Sequence, residues 1–331
     1  GYDINQPEPV VDEAFATKVA RDLVGDPDLK IELQSVSTWT VNNMYATTMS
    51  NGRVFCMGDA THRHPPSNGL GSNTSIQDGF NLAWKLAMVV KGQAGPKLLD
   101  SYQDERAPVA KQIVTRANQS IDEFGPIFKA LGLLDSIDPV KMQQNMDARC
   151  DDTDEAERQR DEIRKAIAYK VYEFDAHGVE MNQRYSSGAV VTDGREEPAF
   201  EKDRELHYQP TTWPGARVPH VWVFSDGGKK VSTLDLTGKG RFTILTGIGG
   251  QGWIEAARLV GKELGIEIAC HTIGPRQRWQ DFTGDWARAR EVRDSGAVLV
   301  RPDQHVAWRA DAKAADPAAE LRRVLKSVLD R

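Results

Sequence analysis

Asp59 is the residue of most chemical interest. It follows an apolar run, Val54-Phe55-Cys56-Met57, and Gly58, and a loop rich in Gly, Pro and Asn separates it from a helix-forming stretch. The run has the length and character of a short buried strand. A carboxylate at the end of such a strand can accept hydrogen bonds from ligand hydroxyls. The loop holds Pro65, Pro66, Gly69 and Gly71. Its backbone is therefore both stiff and permissive, and the glycines let a flat or bulky ligand come close. Ser72, Asn73, Thr74 and Ser75 are N-cap candidates, and Ser75 with Asp78 has capping-box spacing, with Asp in place of Glu. The free N–H groups and positive dipole end of a helix that starts here favour negative charge on a ligand. Beyond the loop, Ile76, Phe80, Ala83, Ala87 and Val90 recur at helical spacing. The loop has no Lys and no GxxxxGK pattern, which excludes a P-loop. A plain strand-to-helix connection with a capping Asp would explain Gly58-Asp59 alone. It does not explain the prolines, glycines and caps together.

Other patterns are weaker. Gly247-Ile248-Gly249-Gly250-Gln251-Gly252 reads as GxGxxG between a strand-like Phe242–Leu245 and a helix-like stretch from Trp253. No acidic residue clearly ends a second strand about 20 residues later, although Glu267 is close. No GxGxxG stands near the start, where dinucleotide-binding folds carry it. Cys56, Cys150 and Cys270 form no CxxC or zinc spacing, so disulfide chemistry and a zinc site are excluded. His62, His64 and His305 belong to no HExxH or other ligand cluster, and His62 reads as a structural hydrogen-bonder beneath the loop. No GxSxG is present.

The elements that must position these residues come from the rest of the chain. Its 331 residues suffice for two domains and a sizeable core. A net charge of −6 gives no basic footprint for nucleic acid. No apolar run approaches membrane-spanning length, no signal peptide is visible, and cysteine usage fits a reducing cytoplasm. Helices are expected over Pro9–Leu23 and Leu98–Asn118, the latter kinked or restarted at Pro108. Leu29–Thr48 reads as one or two strands, joined to the Val54 run by an Asn51-Gly52 turn. Asp151–Arg164, dense in both charges, reads as a solvated helix, with Ile163, Ile167, Val171 and Phe174 as a buried stripe. From about Met181 strand-like runs interleave with helices in the order β-β-α-β-β-β-α, which fits a thioredoxin-like sandwich.

Gly58-Asp59-Ala60-Thr61-His62, Pro65-Pro66, Gly69-Leu70-Gly71, Asn73, Asp78 and Asn81-Leu82-Ala83-Trp84-Lys85-Leu86 together resemble the second flavin motif of FAD-dependent aromatic-ring monooxygenases. Asn42-Asn43-Met44-Tyr45-Ala46 and Arg63-His64 resemble the phenol 2-monooxygenase and 2,4-dichlorophenol 6-monooxygenase branch. Tyr102–Pro108 and Gly296–Arg309 resemble later stretches of the same family.

The resemblance implies the following. Asp59 holds a ribityl hydroxyl of FAD. Pro65, Pro66, Gly69, Leu70 and Gly71 lie against the isoalloxazine, and the N–H groups of Ser72 and Asn73 face the N1 and O2 edge. Trp39, Asn42 and Pro66 are candidates for the phenol pocket. NADPH is the reductant, and the reaction hydroxylates a phenol, chlorinated or not, ortho to its hydroxyl. No acid or base in this chain is assigned to activate the phenol, because in this family those residues lie mostly in an N-terminal part that the sequence does not contain. The expected fold is mixed α/β. Residues 1–93 would be the end of an FAD and substrate domain, 94–180 a helical segment, and 181–331 a thioredoxin-like domain for packing or subunit contacts, as in a homo-oligomer. Two rival readings stand beside this one. One is a non-enzymatic assembly module built on the thioredoxin-like half. The other is the same chemistry on a hydroxyphenylpropionate or polyketide ring.

Overall fold

The computed structural model describes residue 7 and residues 10–331. Two compact units divide between Asn42 and Asn43. The first contains helix α1 (Glu13–Val24), capped by Asp12, whose carboxylate accepts from the Phe15 N–H, and closed by Gly25 at φ 77. Pro9, the expected start of this helix, lies outside the described residues. Residues 27–43 carry no regular structure. The β-branched and aromatic residues there favour extension, but extension becomes a strand only where a second backbone takes up its hydrogen bonds. Within the expected 29–48 span, only Met44–Tyr45 (β1) does so.

In the second unit, Ser50–Asn51 (β2) pairs antiparallel with Val54–Phe55 (β3), Asn51 opposite Val54. Gly52, at φ 60, and Arg53 make the turn, one residue later than the Asn-Gly reading places it. The hairpin has two strands and one protected side. Phe55 packs edge-on against Tyr102, their ring centroids 6.4 Å apart, while Val54 is exposed. The expected buried strand is thus half of a surface hairpin. A 3-10 turn at Gly58–Ala60 leads to His62–Arg63 (β4), which pairs with β1. A second 3-10 turn, Ser67–Gly69, opens helix α2 (Leu70–Val90).

Helix α2 inverts the usual pattern. Its buried residues include Asp78, Asn81 and Lys85 beside Leu70, Leu82, Trp84 and Met88. The residues whose spacing predicts the helix, Ile76, Phe80, Ala83, Ala87 and Val90, face outward. Helix α3 (Asp100–Asp122) packs against α2 and runs unbroken through Pro108. The missing N–H costs one backbone bond. Glu105, Arg106 and Val109 around it are all buried, and that tertiary hold offsets the loss. Helices α4 (Gly125–Ala130), α5 (Pro139–Asp147), α6 (Asp154–Tyr169), α7 (Val171–Phe174) and α8 (His177–Met181) follow. Thr153 caps α6, whose charges pair at i,i+3 in water. Of its expected stripe only Ile163 and Val171 are half-buried; Ile167 and Phe174 are exposed.

The last third is built on a four-stranded sheet. Trp222–Phe224 (β5) and Lys230–Ser232 (β6) form a hairpin, and Thr233–Leu236 (α9) opens with a capping box at Ser232 and Asp235. Phe242–Thr246 (β7) runs through Gln251–Leu264 (α10) to the parallel Ile268–Thr272 (β8). After Asp285–Ala289 (α11) come Ala297–Val300 (β9) and Val306–Ala310 (β10), both antiparallel additions. The strand order is β10-β9-β7-β8. Side chains alternate across the sheet, as a period of two requires. Phe242, Ile244 and Leu299 join α10 and the C-terminal α12 (Pro317–Val328) on one face. Leu245, Val298 and Val300 join Val223, Ile273 and Trp286 on the other.

An ionic cluster joins this sheet to α2 and α3. Arg301, just past β9, grips Glu105 of α3 with two parallel bonds, Nη1–Oε1 at 2.5 Å and Nη2–Oε2 at 2.9 Å. Glu105 also accepts from Ser187 Oγ (2.6 Å), Asn81 Nδ2 (2.6 Å) and Lys85 Nζ (2.8 Å). Arg301 turns its remaining edge to Asp303, at 3.0 and 2.5 Å. Burial pushes the Glu105 carboxyl up, but Arg301 and Lys85 outweigh it and hold it below its usual range. Burial and the Arg301 charge lower the Lys85 ammonium to about 8 despite its Glu105 partner. Arg301 is therefore the cation that the cluster needs. Replacing one member of a buried pair leaves the other charged and unsatisfied, which costs about 3–5 kcal/mol. Arg301→Met should destabilise the chain by about that amount in urea unfolding, and Lys85→Met by far less, because Glu105 keeps Arg301. Equal losses would contradict this ranking.

Candidate functional site

The loop that leads into α2 is held from below by a second buried ionic group. Asp78, two turns into α2, accepts from the Gly58 N–H at 3.0 Å, hydrogen-bonds His62 Nε2 at 3.0 Å and accepts from Arg106 Nε at 2.6 Å. It is therefore a brace and not the far end of a capping box. The helix starts earlier than Ser75, with Gly69 as its N-cap at φ 62, ψ 24. Ser75 lies inside the helix and donates its hydroxyl to the Gly71 carbonyl at 2.9 Å. Burial raises the Asp78 carboxyl, but the His62 bond, the Arg106 charge and the Gly58 N–H together hold it below its usual value. Arg106 continues to the Tyr185 hydroxyl at 2.9 Å. His62 is buried, and its Nδ1 has no partner among the described residues.

Above this brace the loop presents backbone. Asn68 and Gly69 take consecutive positive φ, 64 and 62. Asn68 is tied down by Nδ2 bonds to the Tyr172 and Glu173 carbonyls at 2.7 and 3.1 Å. His64 Nδ1 lies 2.7 Å from the Pro65 carbonyl. Asp59, Pro66, Gly69, Ser72 and Asn73 are exposed, and Gly71 is half-buried. Ser72 is the third residue of α2, where the N–H has no intrahelical acceptor; Asn73 is the fourth, and its N–H is the first to have one, the carbonyl of the N-cap Gly69. Nothing lies within 4 Å of the point where a Cβ of Gly69 would stand, so its outer side is open. Pro65 and Leu70 differ: both are buried, Leu70 against Val109, Ile113, Val179 and Tyr185. Their side chains hold the loop, so their share in any ligand contact is limited to backbone. Trp39 and Asn42 belong to the unit that ends at Asn42, and Pro66 to the other. Trp39 is exposed, and Asn42 donates to the Thr40 carbonyl at 2.7 Å.

The second glycine cluster serves a different purpose. A Cβ on Gly250 would stand 1.8 Å from Thr246 Oγ1, and one on Gly247 2.8 Å from the Asp294 carbonyl. Those glycines admit neighbouring protein where a phosphate site would need open space. Among the described residues no three His, Cys, Asp or Glu side chains are placed to hold a metal ion, and no helix is long and apolar enough to cross a membrane.

Residues 1–117 match the family model of an FAD binding domain, and residues 211–331 that of the aromatic-ring hydroxylase C-terminal region. The chain belongs to the FAD-dependent aromatic-ring hydroxylases. It is 53% identical over 329 residues to a 2,4-dichlorophenol 6-monooxygenase of Delftia acidovorans, a match that covers 99% of this chain and 56% of the relative. A phenol 2-monooxygenase of a Pseudomonas species is 50% identical, with 98% and 53% covered. A crystal structure of the flavin-dependent monooxygenase PieE with FAD and substrate superposes with a TM-score of 0.90 at 46% identity, covering 98% of this chain and 56% of that one. The chain thus spans about half the length of the relatives it matches. In this hydroxylase chain the braces Asp78 and Arg106 carry no periodicity signal. The only hint of them in the sequence is the Asp78 of the loop stretch and the Tyr102–Pro108 stretch.

Two outcomes test the geometry of the loop. At Gly58, φ is 60 and a Cβ would meet Ser75 Oγ at 2.9 Å and Ser75 Cβ at 3.1 Å. Gly58→Ala should cost about 1–2 kcal/mol for the left-handed backbone, with a steric part on top. Ser75→Gly in that background should recover the steric part alone, as read by thermal unfolding. For Asp78 the depressed pKa means stability present above the unfolded value near 4 and lost as pH falls through the folded value. Asp78→Asn should therefore be less stable by about 1–3 kcal/mol near neutrality, and the gap to wild type should shrink below about pH 4. A gap that stays constant with pH would rule this out.

Proposed function

We propose that this chain is the flavin-ring and C-terminal portion of an aromatic monooxygenase that hydroxylates a phenol. The observation that carries the reading is the turn into α2, where Asn68 and Gly69 are both αL and Pro66, Gly69, Ser72 and Asn73 are exposed, braced by Asp78 and Arg106. Its residues fit a flavin. The open side of Gly69 and the half-buried Gly71 let a flat ring lie against the backbone. The free first-turn N–H of Ser72 and the positive end of the α2 dipole, next to which Asn73 stands, favour the negative charge that a reduced ring carries. Asp59, exposed on the 3-10 turn, is free to accept from a ribityl hydroxyl. Bound FAD, reduced by NADPH, would supply dioxygen activation for hydroxylation ortho to the phenol oxygen. Residues of this chain hold and orient the ring. Pro66 is assigned to the substrate side.

The identity to the phenol and dichlorophenol enzymes, 50% and 53%, favours a simple phenol over larger rings. Tetracenomycin A2 monooxygenase-dioxygenase of Streptomyces glaucescens stands at 35%. For the last third we infer a thioredoxin-like domain. The β10-β9-β7-β8 order, with β7-α10-β8 parallel and β9-β10 antiparallel, supports it, as do α10 and α12 packed together on one sheet face. Its role here is packing or subunit contact, in a homo-oligomer of the parent protein.

An FAD titration of the purified chain, followed by flavin fluorescence, tests the loop assignment. Saturable binding should appear, and Asp59→Ala should weaken it by about tenfold, the effect of losing one charge-assisted hydrogen bond. Binding unchanged in Asp59→Ala would overturn the assignment.

A further inference from the structure

Tyr185 stands between the two ionic clusters and belongs to neither α2 nor α3. It lies beyond α8, on the chain that leads into the last third. Its backbone is fixed from that side. The Tyr185 N–H donates to the Gly215 carbonyl at 2.9 Å, and Arg184 bridges to Ala216. A Cβ on Gly215, at φ 95, would stand 2.0 Å from the Tyr185 carbonyl oxygen, so only glycine admits this approach. The 215–216 stretch is tied in turn to β10. The Gly215 N–H donates to the Val306 carbonyl at 2.7 Å, and the Val306 N–H donates to the Ala216 carbonyl at 2.8 Å. The buried Tyr185 ring stacks on His305, just before β10, with centroids 4.3 Å apart.

The hydroxyl reaches the other way. Arg106 Nη1 donates to it at 2.9 Å, whereas the other acceptors of Nη1, Gln183 Oε1 and Gln77 Oε1, stand at 3.3 and 3.5 Å. Burial holds the phenol above its usual range, so the hydroxyl is neutral at physiological pH and accepts from the cation. At the far side of the same guanidinium, Nε donates to Asp78 at 2.6 Å. Asp78 takes the Gly58 N–H at 3.0 Å, one residue before Asp59. A guanidinium is a rigid plane, so an acceptor that fixes one of its corners aims the others. A phenylalanine would fill the same space and stack as well. Only the hydroxyl meets Arg106.

We propose that Tyr185 is a positioning residue for the flavin loop: its hydroxyl orients Arg106, which through Asp78 sets the backbone that carries Asp59. The proposal rests on the reading of that loop as a flavin site. It gives the last third of the chain a part in that site beyond packing or subunit contact, because β10 holds Tyr185 in place. Supports of this kind fix a site through groups that never touch the ligand.

The test is amide hydrogen exchange of the purified chain, resolved by residue in NMR spectra with no flavin added. In Tyr185→Phe the Gly58 amide should exchange about tenfold faster relative to the Ile244 amide of β7, the effect of losing one hydrogen bond to a charged group. A role in packing alone would speed both amides by the same factor or neither. An unchanged ratio therefore overturns the proposal. Added to Asp78→Asn, Tyr185→Phe should alter the ratio by less than about twofold, because the hydroxyl acts through Asp78. Fully additive effects would contradict it. If Tyr185→Phe does not fold, Arg106→Lys is read in its place. Lysine keeps the charge beside Asp78 but has no second corner for the hydroxyl to fix, and an unchanged ratio there is equally fatal. In the FAD titration, Tyr185→Phe should bind several-fold more weakly than wild type, and equal affinity would count against the positioning role. A wild-type chain that binds no FAD would count against the loop assignment alone, since the exchange ratio is read without flavin and still decides the role of Tyr185.

Discussion

The contact on which the architecture depends is the two-point grip of Arg301 on Glu105. It spans 196 positions of sequence and is wholly buried. On one side stands the helical layer of α2 and α3, and on the other the β9-β10 end of the sheet. Stacking supports it, with the Arg301 guanidinium 5.2 Å from the Trp84 ring centre and 5.5 Å from that of Tyr185. A planar, always-charged fork suits this role in a way that an ammonium does not. Lys85, pressed into the same carboxylate, shows the difference through its lowered pKa. The pair contributes little net energy relative to an apolar replacement of both partners, but once the charges are buried each requires the other.

The same helix carries the ionic cluster and the loop. Asp78, Asn81 and Lys85 descend one side of α2 at helical spacing, and Gly69 to Asn73 form its exposed start. Arg106 and Glu105, adjacent on α3, therefore serve two ends of one support. Arg106 fixes Asp78 and, through it, the Gly58 backbone, while Glu105 fixes Asn81, Lys85 and the distant sheet. The position of Asp59 is thus set by buried charge pairs rather than by its own turn.

Glycine has opposite uses in the two halves of the unit. Around Gly69 the space is open and the backbone takes the left-handed conformation. Around Gly247 and Gly250 the space is filled by Asp294 and Thr246, and the missing side chains allow α10 to close onto β7. Both clusters lie between a strand and a helix. Only the contents of the Cβ positions separate the open loop from the packing joint.

The sequence by itself determined the local grammar. Apolar runs marked β7, β8, β9 and β10, one-sided apolar spacing marked α1, the helix-like stretch from Trp253 marked α10, and the Gly58–Leu86 stretch marked both the family and the loop. These signals are carried by neighbours in the chain, so short-range spacing contains them. Tertiary structure alone decided which side of α2 is buried. Ile76, Phe80, Ala83, Ala87 and Val90 read as an ordinary apolar stripe, yet they face outward. Asp78, Asn81 and Lys85, which look solvated, are buried because their partners Arg106, Glu105 and Arg301 arrive from α3 and from the end of β9. A charge pays for its desolvation only when an opposite charge meets it, and spacing along one helix holds no record of that meeting. For the same reason the 29–43 stretch remained without strands: its residues favour extension, and strand formation required a neighbouring backbone that local sequence could not supply.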